Sequence, residues 1–321
     1  MNVDPLISVL MLSFNSPDIY SSVNSLLMQD YPQIQFILVD DASTEYDVEE
    51  LEKYINSNKD SNLIDVRIIK NKHNIGIVKS SNIGIREIKG EIVFNLAGDD
   101  QFNDSRVISE WVNEFKNTNA EVMTAYREVY DSDLNEMLYK APFDNEVSKI
   151  LNNKPEDLFE IVSGRNFIFG AVTARKKEVF DKYGLYDEKY RLIDDHPMVL
   201  RLLRQGVKIW FFDRVVIKYR LGGISYGNKF NAEYAKEADL VFKREVLPFT
   251  KNRKLAKKIY SDWKNDVKNV SGFDPLKEKY KNKKLRLFMV YVFRNLKNPI
   301  PSIKRILKDP EHIRKKLSGD K

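Results

Sequence analysis

Two adjacent carboxylates, Asp99 and Asp100, follow the apolar run Ile92-Val93-Phe94-Asn95-Leu96. Side by side at the carboxyl end of a strand they repel each other and are poorly solvated, so the pair persists where a cation or a proton offsets the charge. Gly98 lets the backbone approach a ligand closely. The acids offer hard oxygen ligands to Mg2+ or Mn2+, an ion that would neutralise a diphosphate leaving group. The plain alternative is a solvated turn, with Asp104 capping the next helix. A second pair, Asp40-Asp41, ends the run from Ile34 to Val39. Acids so placed accept hydrogen bonds from a base N–H or a ribose hydroxyl, or cap a turn with Ser43.

The third constellation is Arg191-Leu192-Ile193-Asp194-Asp195-His196-Pro197. Pro197 suits a first helical turn, and Asp195 or His196 would be its cap. The functional alternative is a general base, a carboxylate or imidazole within hydrogen-bond reach of a sugar hydroxyl. His73-Asn74-Ile75-Gly76 precedes a helix carrying Lys79 and Asn82, and a helix N-terminus there favours phosphate or a solvated cap.

The elements that must position these groups alternate. Ile7–Leu12, Gln35–Val39, Val66–Ile69 and Ile92–Leu96 read as strands. Between them lie helices: one capped by Ser16-Pro17 with Ile19, Val23, Leu26 and Leu27 on one face, one over Val48–Ile55, and one over Ile77–Lys89 stopped by Gly90. A further helix carries Val107, Ile108, Trp111, Val112 and Phe115. The order predicts an α/β fold, a mostly parallel central sheet flanked by helices, whose ligands bind outside the carboxyl ends of the strands. From Glu121 onward the pattern predicts strands over Val122–Tyr126, Phe167–Thr173, Lys208–Phe212 and Val215–Tyr219, and helices over Lys177–Tyr183 and around Met198, Leu202 and Leu203. Beyond Gly227 only helices and basic loops are read.

The 321 residues are 42% hydrophobic and contain no cysteine, which excludes a disulfide framework and suits a reducing, cytoplasmic compartment. The first residues lack the basic region of a signal peptide, and no apolar run approaches the roughly 20 residues needed to span a bilayer. From Lys251 onward there are 22 Lys+Arg against 7 Asp+Glu, a net of +15, while the remainder carries −9. That asymmetry points to an anionic surface as partner. Lys281–Leu296, an apolar run bracketed by basic residues, could lie on a membrane, or pack as a helix with a basic outer face.

Taken in order, Ser8-Val9-Leu10-Met11-Leu12-Ser13-Phe14-Asn15, Val39-Asp40-Asp41-Ala42-Ser43, Asn74-Ile75-Gly76 with Asn82-Ile83-Gly84-Ile85, Gly98-Asp99-Asp100 and Asp194-Asp195 resemble a family 2 glycosyltransferase, over about Leu6 to Tyr226. The resemblance implies a GT-A-like nucleotide-diphospho-sugar transferase fold. Residues 1–226 would be its catalytic domain, with a nucleotide-sugar-binding half (1–103) and an acceptor-binding half (104–226), and 227–321 a helical basic C-terminal extension. It implies an inverting, Mn2+- or Mg2+-dependent transfer from a nucleoside diphosphate sugar, UDP the expected nucleotide, to a glycan or lipid-linked saccharide, as in bacterial surface polysaccharide synthesis.

By the same resemblance Ser13, Phe14 and Asn15 line the base pocket with Phe14 stacking, and Asp40 and Asp41 contact base and ribose. Asn74, Gly76, Asn82 and Gly98 border the donor. Asp99 matches the last acid of the family's DXD motif and holds the metal. Ala97 stands where that motif has its first acid, so one ribose or metal contact is either lost or taken over by Asp100. Asp195 is the expected general base, with Asn166, Asp194 and His196 at the acceptor and Gly164–Ile168 as the strand flooring it. Arg220, in a Tyr-Arg lacking the usual following histidine, would meet the diphosphate. The processive-synthase signature is absent, so one sugar per encounter is expected.

Rival readings are a nucleotidyltransferase, for which Phe14-Asn15-Ser16-Pro17 supplies no basic Gly-rich loop, and a catalytically silent scaffold whose basic tail binds membrane or nucleic acid. Retention of Asp195 argues against silence, and nucleic acid is the less favoured partner of the tail. The tail helices would equally serve a homo-oligomer.

Overall fold

Parallel strands covered on both faces need continuous apolar runs, and Ile34–Asp40 is such a run, with all 7 residues buried. The computed structural model describes residues 4–222 and 232–271. In chain order the elements begin β1 (Ile7–Ser13), α1 (Ile19–Leu27), β2 (Ile34–Asp40), α2 (Val48–Asn58), β3 (Leu63–Lys70), α3 (Ile77–Arg86), β4 (Ile92–Ala97), β5 (Gln101–Phe102) and α4 (Val107–Thr118). They continue with β6 (Val122–Tyr130), β7 (Met137–Ala141), α5 (Asp144–Asn152), α6 (Pro155–Val162), β8 (Thr173–Lys176), α7 (Glu178–Tyr183), α8 (Asp195–Arg204), β9 (Ile209–Arg220), α9 (Ala232–Val241) and α10 (Arg253–Ser271).

The strands form one sheet in the order β3-β2-β1-β4-β8-β6-β9-β5, with β7 paired to β6. The long ladders, β1 with β2 and β4, β2 with β3, and β6 with β9, are parallel; β4–β8, β6–β8, β5–β9 and β6–β7 are short antiparallel ones. The α/β class and the mostly parallel sheet are therefore as expected. Strand order reverses at β1, whose neighbours β2 and β4 continue in opposite directions. That makes a switch point where ligands gather in open α/β sheets. Ser13 is in register with Asp40, and Leu12 with Ala97, so three strands deliver the predicted site residues to one edge. Beneath that edge Trp111 of α4 meets Phe94 of β4 edge-on, ring centroids 5.2 Å apart, among Ile19, Val23 and Leu26 of α1.

Several local expectations change. α1 starts at Ile19 rather than at Pro17, because Ser16 is buried with its hydroxyl 3.1 Å from that of Ser13. α3 ends at Arg86 rather than Lys89. Gly90 is needed for packing and not as a stop: a Cβ there would lie 2.4 Å from the Ile7 carbonyl carbon. Of the strand expected over Phe167–Thr173 only Thr173 pairs; Gly170–Val172 is a 3-10 turn and Gly164–Ile168 an irregular loop. Lys208–Phe212 and Val215–Tyr219 merge into the single strand β9, whose register slips opposite Ala125–Arg127. The β6–β7 hairpin and helices α5 and α6 have no counterpart among the predicted elements.

Of the described residues, those up to Tyr260 belong to one compact unit and 261–271 to a second. Within the first, Glu245 pairs with Arg204 of α8 at 2.7 Å, and Thr250 donates to Glu160 of α6 at 2.6 Å. Phe242 stacks on Tyr260 with centroids 4.1 Å apart. The basic segment Lys281–Leu296 lies outside the described residues.

Candidate active site

At the β1–β2 end the acids shape the loops that follow them. Asp40 is wholly buried; its Oδ1 accepts from the Tyr46 hydroxyl at 2.6 Å and its Oδ2 from the Ser43 N–H at 3.1 Å. Burial, reinforced by the bond to Asp40, pushes the Tyr46 phenol up to about 12, so it stays protonated as a donor. Asp41 accepts from Asn71 Nδ2 (2.8 Å) and the Ile75 N–H (2.9 Å) on Oδ1, and from the Gly76 N–H (2.8 Å) on Oδ2. Asn15, in the left-handed region at φ 49°, accepts from the Thr44 and Glu45 N–H groups through Oδ1. With no exposed surface Asp40 acts through Tyr46 and Ser43, and the Asn15 Oδ1 is engaged by the neighbouring loop. Phe14, by contrast, is 48% exposed, so a face of its ring is free to stack.

The acid pair lies on the turn between β4 and β5. β5 pairs with Ile217 and Lys218 of β9, which sets Asp100 beside Arg220. Asp100 is buried, with Oδ1 accepting the Arg220 N–H at 3.0 Å and Oδ2 left without a partner. Burial, and then the charge of Asp99, hold its carboxyl well above the ordinary carboxylate range. The expected metal ligand thus faces inward, where its Oδ1 caps the end of β9. Asp99 is half-buried, its pKa raised by burial and opposed by Arg220.

Arg220 was expected at the diphosphate; instead its Nε donates to the Asp99 carbonyl (3.0 Å), its Nη1 to the Ser132 carbonyl, and its Nη2 pairs with Asp18 (2.8 Å). It fastens the turn to the start of α1 and to the β6–β7 hairpin. Gly98 serves packing: a Cβ would lie 2.8 Å from both the Ser13 and Ser16 hydroxyl oxygens. No cluster of three or more His, Cys, Asp or Glu suited to a metal exists among the described residues. A Mg2+-like ion fits here only as such ions often bind, through one carboxylate, Asp99, with phosphate oxygens of the substrate and water completing the shell.

Asp195 opens α8, half-buried, its carboxylate held by three donors. Oδ2 accepts from the Gly170 N–H (3.1 Å) and Asn166 Nδ2 (3.3 Å), and Oδ1 from the His196 N–H (2.6 Å). Asn166 also closes a loop on Ile168, donating to its carbonyl and accepting its N–H, so it orients Asp195. His196 Nε2 reaches the Val162 carbonyl at 3.0 Å, so the ring anchors α8 to α6, and burial lowers its pKa. Asp194 is pushed up to about 7 by burial and then by Asp195, against Arg175. Asn82 bonds Tyr186 in both directions at 3.0 Å and Glu188 at 3.0 Å, so it braces that loop. Asn74 is held by the Arg191 guanidinium.

One buried residue links the two ends and was not singled out in the sequence. The Arg127 guanidinium lies between the rings of Phe169 (3.8 Å) and Tyr219 (4.0 Å) and exerts its charge on Asp100. Phe169 precedes Gly170, which bonds the base candidate, and Tyr219 precedes Arg220, which holds the acid turn. The one available signal was a lone Arg directly after the buried stretch Val122–Tyr126.

A family model described as glycosyl transferase family 2 matches residues 8–184. Among curated relatives, an uncharacterized glycosyltransferase of Haemophilus influenzae is 25% identical over 78% of this chain and 75% of its own. The Escherichia coli UDP-Glc:alpha-D-GlcNAc-diphosphoundecaprenol beta-1,3-glucosyltransferase WfaP is 28% identical over 70% and 81%. Among solved structures, S. aureus TarS 1-349 in complex with UDP-GlcNAc superposes with a TM-score of 0.60 at 17% identity, covering 90% of this chain and 81% of that one. The mannosyltransferase PcManGT of Pyrobaculum calidifontis, in complex with GDP-Man and Mn2+, gives 0.57 at 15% identity over 100% and 89%. The chain spans about half, 47%, of a longer TarS structure. At these identities the structures speak to fold, and they bear out the GT-A-like architecture. With more than half of its length matched by the family model, the chain belongs to glycosyl transferase family 2.

Proposed function

We propose that this glycosyltransferase moves a sugar from a nucleoside diphosphate donor, a UDP-sugar, to a hydroxyl of a glycan or lipid-linked saccharide, inverting the anomeric centre. The observation that carries the reading is the Asp195 carboxylate, fixed by the Gly170 and His196 N–H groups and Asn166 at the start of α8. A half-buried carboxylate so oriented can take the proton of an acceptor hydroxyl as that oxygen attacks the anomeric carbon and the bond to the diphosphate breaks. Phe14 stacks on the base, and the loop that Asp41 holds at Ile75 and Gly76 borders the donor. Asp99 would hold a divalent ion, Mn2+ or Mg2+, which when bound neutralises the departing diphosphate.

The acceptor is membrane-linked in this reading. Lys251, Arg253, Lys254, Lys257 and Lys258 are all exposed beside Phe249 and Leu255, 52% and 50% exposed, which suits peripheral contact with an anionic cytoplasmic membrane face. Among the described residues no helix is long and apolar enough to cross a membrane. The test incubates the protein with UDP-, GDP- and dTDP-sugars, Mn2+ and lipid-linked saccharide acceptors. Release of UDP together with a glycosylated lipid is expected; no nucleotide release from any donor contradicts the reading.

A further inference from the structure

Glu237 lies in α9, beyond the region that the family resemblance covers, and its side chain reaches back to the strand of chain leading into Asp195. Its carboxylate is 9% exposed. Oε1 accepts the N–H of Arg191 at 2.7 Å, and Oε2 accepts those of Leu192 (2.8 Å) and Ile193 (3.1 Å). Three successive backbone N–H groups converge on one carboxylate, and the next two residues are Asp194 and Asp195. The same segment is tied on its other side to the donor loop. The Arg191 carbonyl accepts the Val78 N–H at 3.1 Å, and the Arg191 guanidinium holds the Asn74 carbonyl and side chain.

Carboxylate geometry explains why an acid is needed. Ionised Glu accepts on both oxygens, whereas Gln would turn an N–H2 donor toward one or two of those N–H groups, and Asp is shorter by a methylene. A buried acid serving only to fill space would be costly without such partners.

We infer that Glu237 is a positioning residue for the transfer, its carboxylate fixing Arg191–Ile193 and through them the placement of Asp195. This rests on the proposal above that Asp195 is the base. It makes α9 a working part of the catalytic unit.

The test compares Glu237→Gln, Glu237→Asp and the exposed neighbour Lys236→Ala in the full chain. Thermal stability, donor KM, kcat and amide hydrogen exchange over 191–195 are followed. Glu237→Gln is expected to speed exchange over 191–195 and to lower kcat about 10- to 100-fold with donor KM within about threefold, as misplacement of a catalytic group does. Glu237→Asp should recover part of kcat, and Lys236→Ala should match the parent. A fall in thermal stability with kcat per folded molecule unchanged overturns the inference, as does unaltered exchange over 191–195. If the parent transfers no sugar, the base reading fails on its own, and the exchange result still decides whether Glu237 holds the segment. Should Glu237→Gln not fold, Glu237→Asp carries both readouts.

Discussion

The backbone N–H of Gly170 lies 3.1 Å from Oδ2 of Asp195, and the carbonyl of the same glycine accepts from Asn95 on β4, also at 3.1 Å. One residue thus joins the central sheet to the group we assign as base. A Cβ at Gly170 would lie 3.1 Å from the Asp195 Cβ, tighter than ordinary contact, so the two chains would have to part by a few tenths of an ångström. Gly170→Ala is therefore expected to cut kcat about 10-fold while donor KM stays within about twofold, since only the base is displaced. Steady-state kinetics with the donor varied checks this; equal loss in both parameters would place the damage in the donor site.

The Tyr46–Asp40 contact carries a stability prediction. Tyr46→Phe leaves Oδ1 of a wholly buried Asp40 without its 2.6 Å donor. Orphaning a buried acceptor costs about 1–3 kcal/mol, more when it is charged. Chemical denaturation should read a loss in that range, with Asp40→Asn/Tyr46→Phe together costing less than the sum of the singles. Additive losses would mean the bond is not made.

What the sequence disclosed and what it hid divide along physical lines. β1, β2 and β4 are continuous apolar runs, and an acid at the end of such a run stands out against them; their parallel order then brings Ser13, Asp41 and Asp99 to one edge. The start of α8 at Asp195 was legible because an acid pair before Pro197 marks a helix start. Which acid faces out was not legible. Asp100 turns inward because β5 pairs with β9, a contact between residues more than a hundred positions apart. Arg127 and Arg220 were hidden or misread for the same reason: their partners, Phe169, Tyr219, Asp18 and Ser132, come from separate elements that no local period brings together. The β6–β7 hairpin escaped notice because its second strand, Met137–Ala141, is short and its exposed and buried positions do not alternate.

Asp194 gives the enzyme a pH-dependent stability. Burial and Asp195 raise its carboxyl from 3.8 to about 7, with Arg175 opposing. The folded state thus holds this proton to higher pH than the unfolded chain does. Its contribution is fully present below about pH 4 and is lost as pH rises through about 7, with a slope approaching about 1.4 kcal/mol per pH unit in between. Asp194→Asn removes that slope, so the variant should gain on the parent between about pH 5 and about pH 8. Urea midpoints at the two pH values measure it; an equal difference at both contradicts the raised carboxyl.

Asp195 carries the proposed transfer. Asp195→Asn keeps the size of the side chain, removes the proton acceptor and turns an N–H2 toward one of the N–H groups that Asp195 accepts. The most direct measurement is single-turnover sugar transfer by this variant alongside calorimetric binding of the nucleoside diphosphate. The expected result is a fall in transfer of about 10³-fold, the scale of a lost general base, with nucleotide affinity within about twofold of the parent. Undiminished transfer by Asp195→Asn would contradict the assignment.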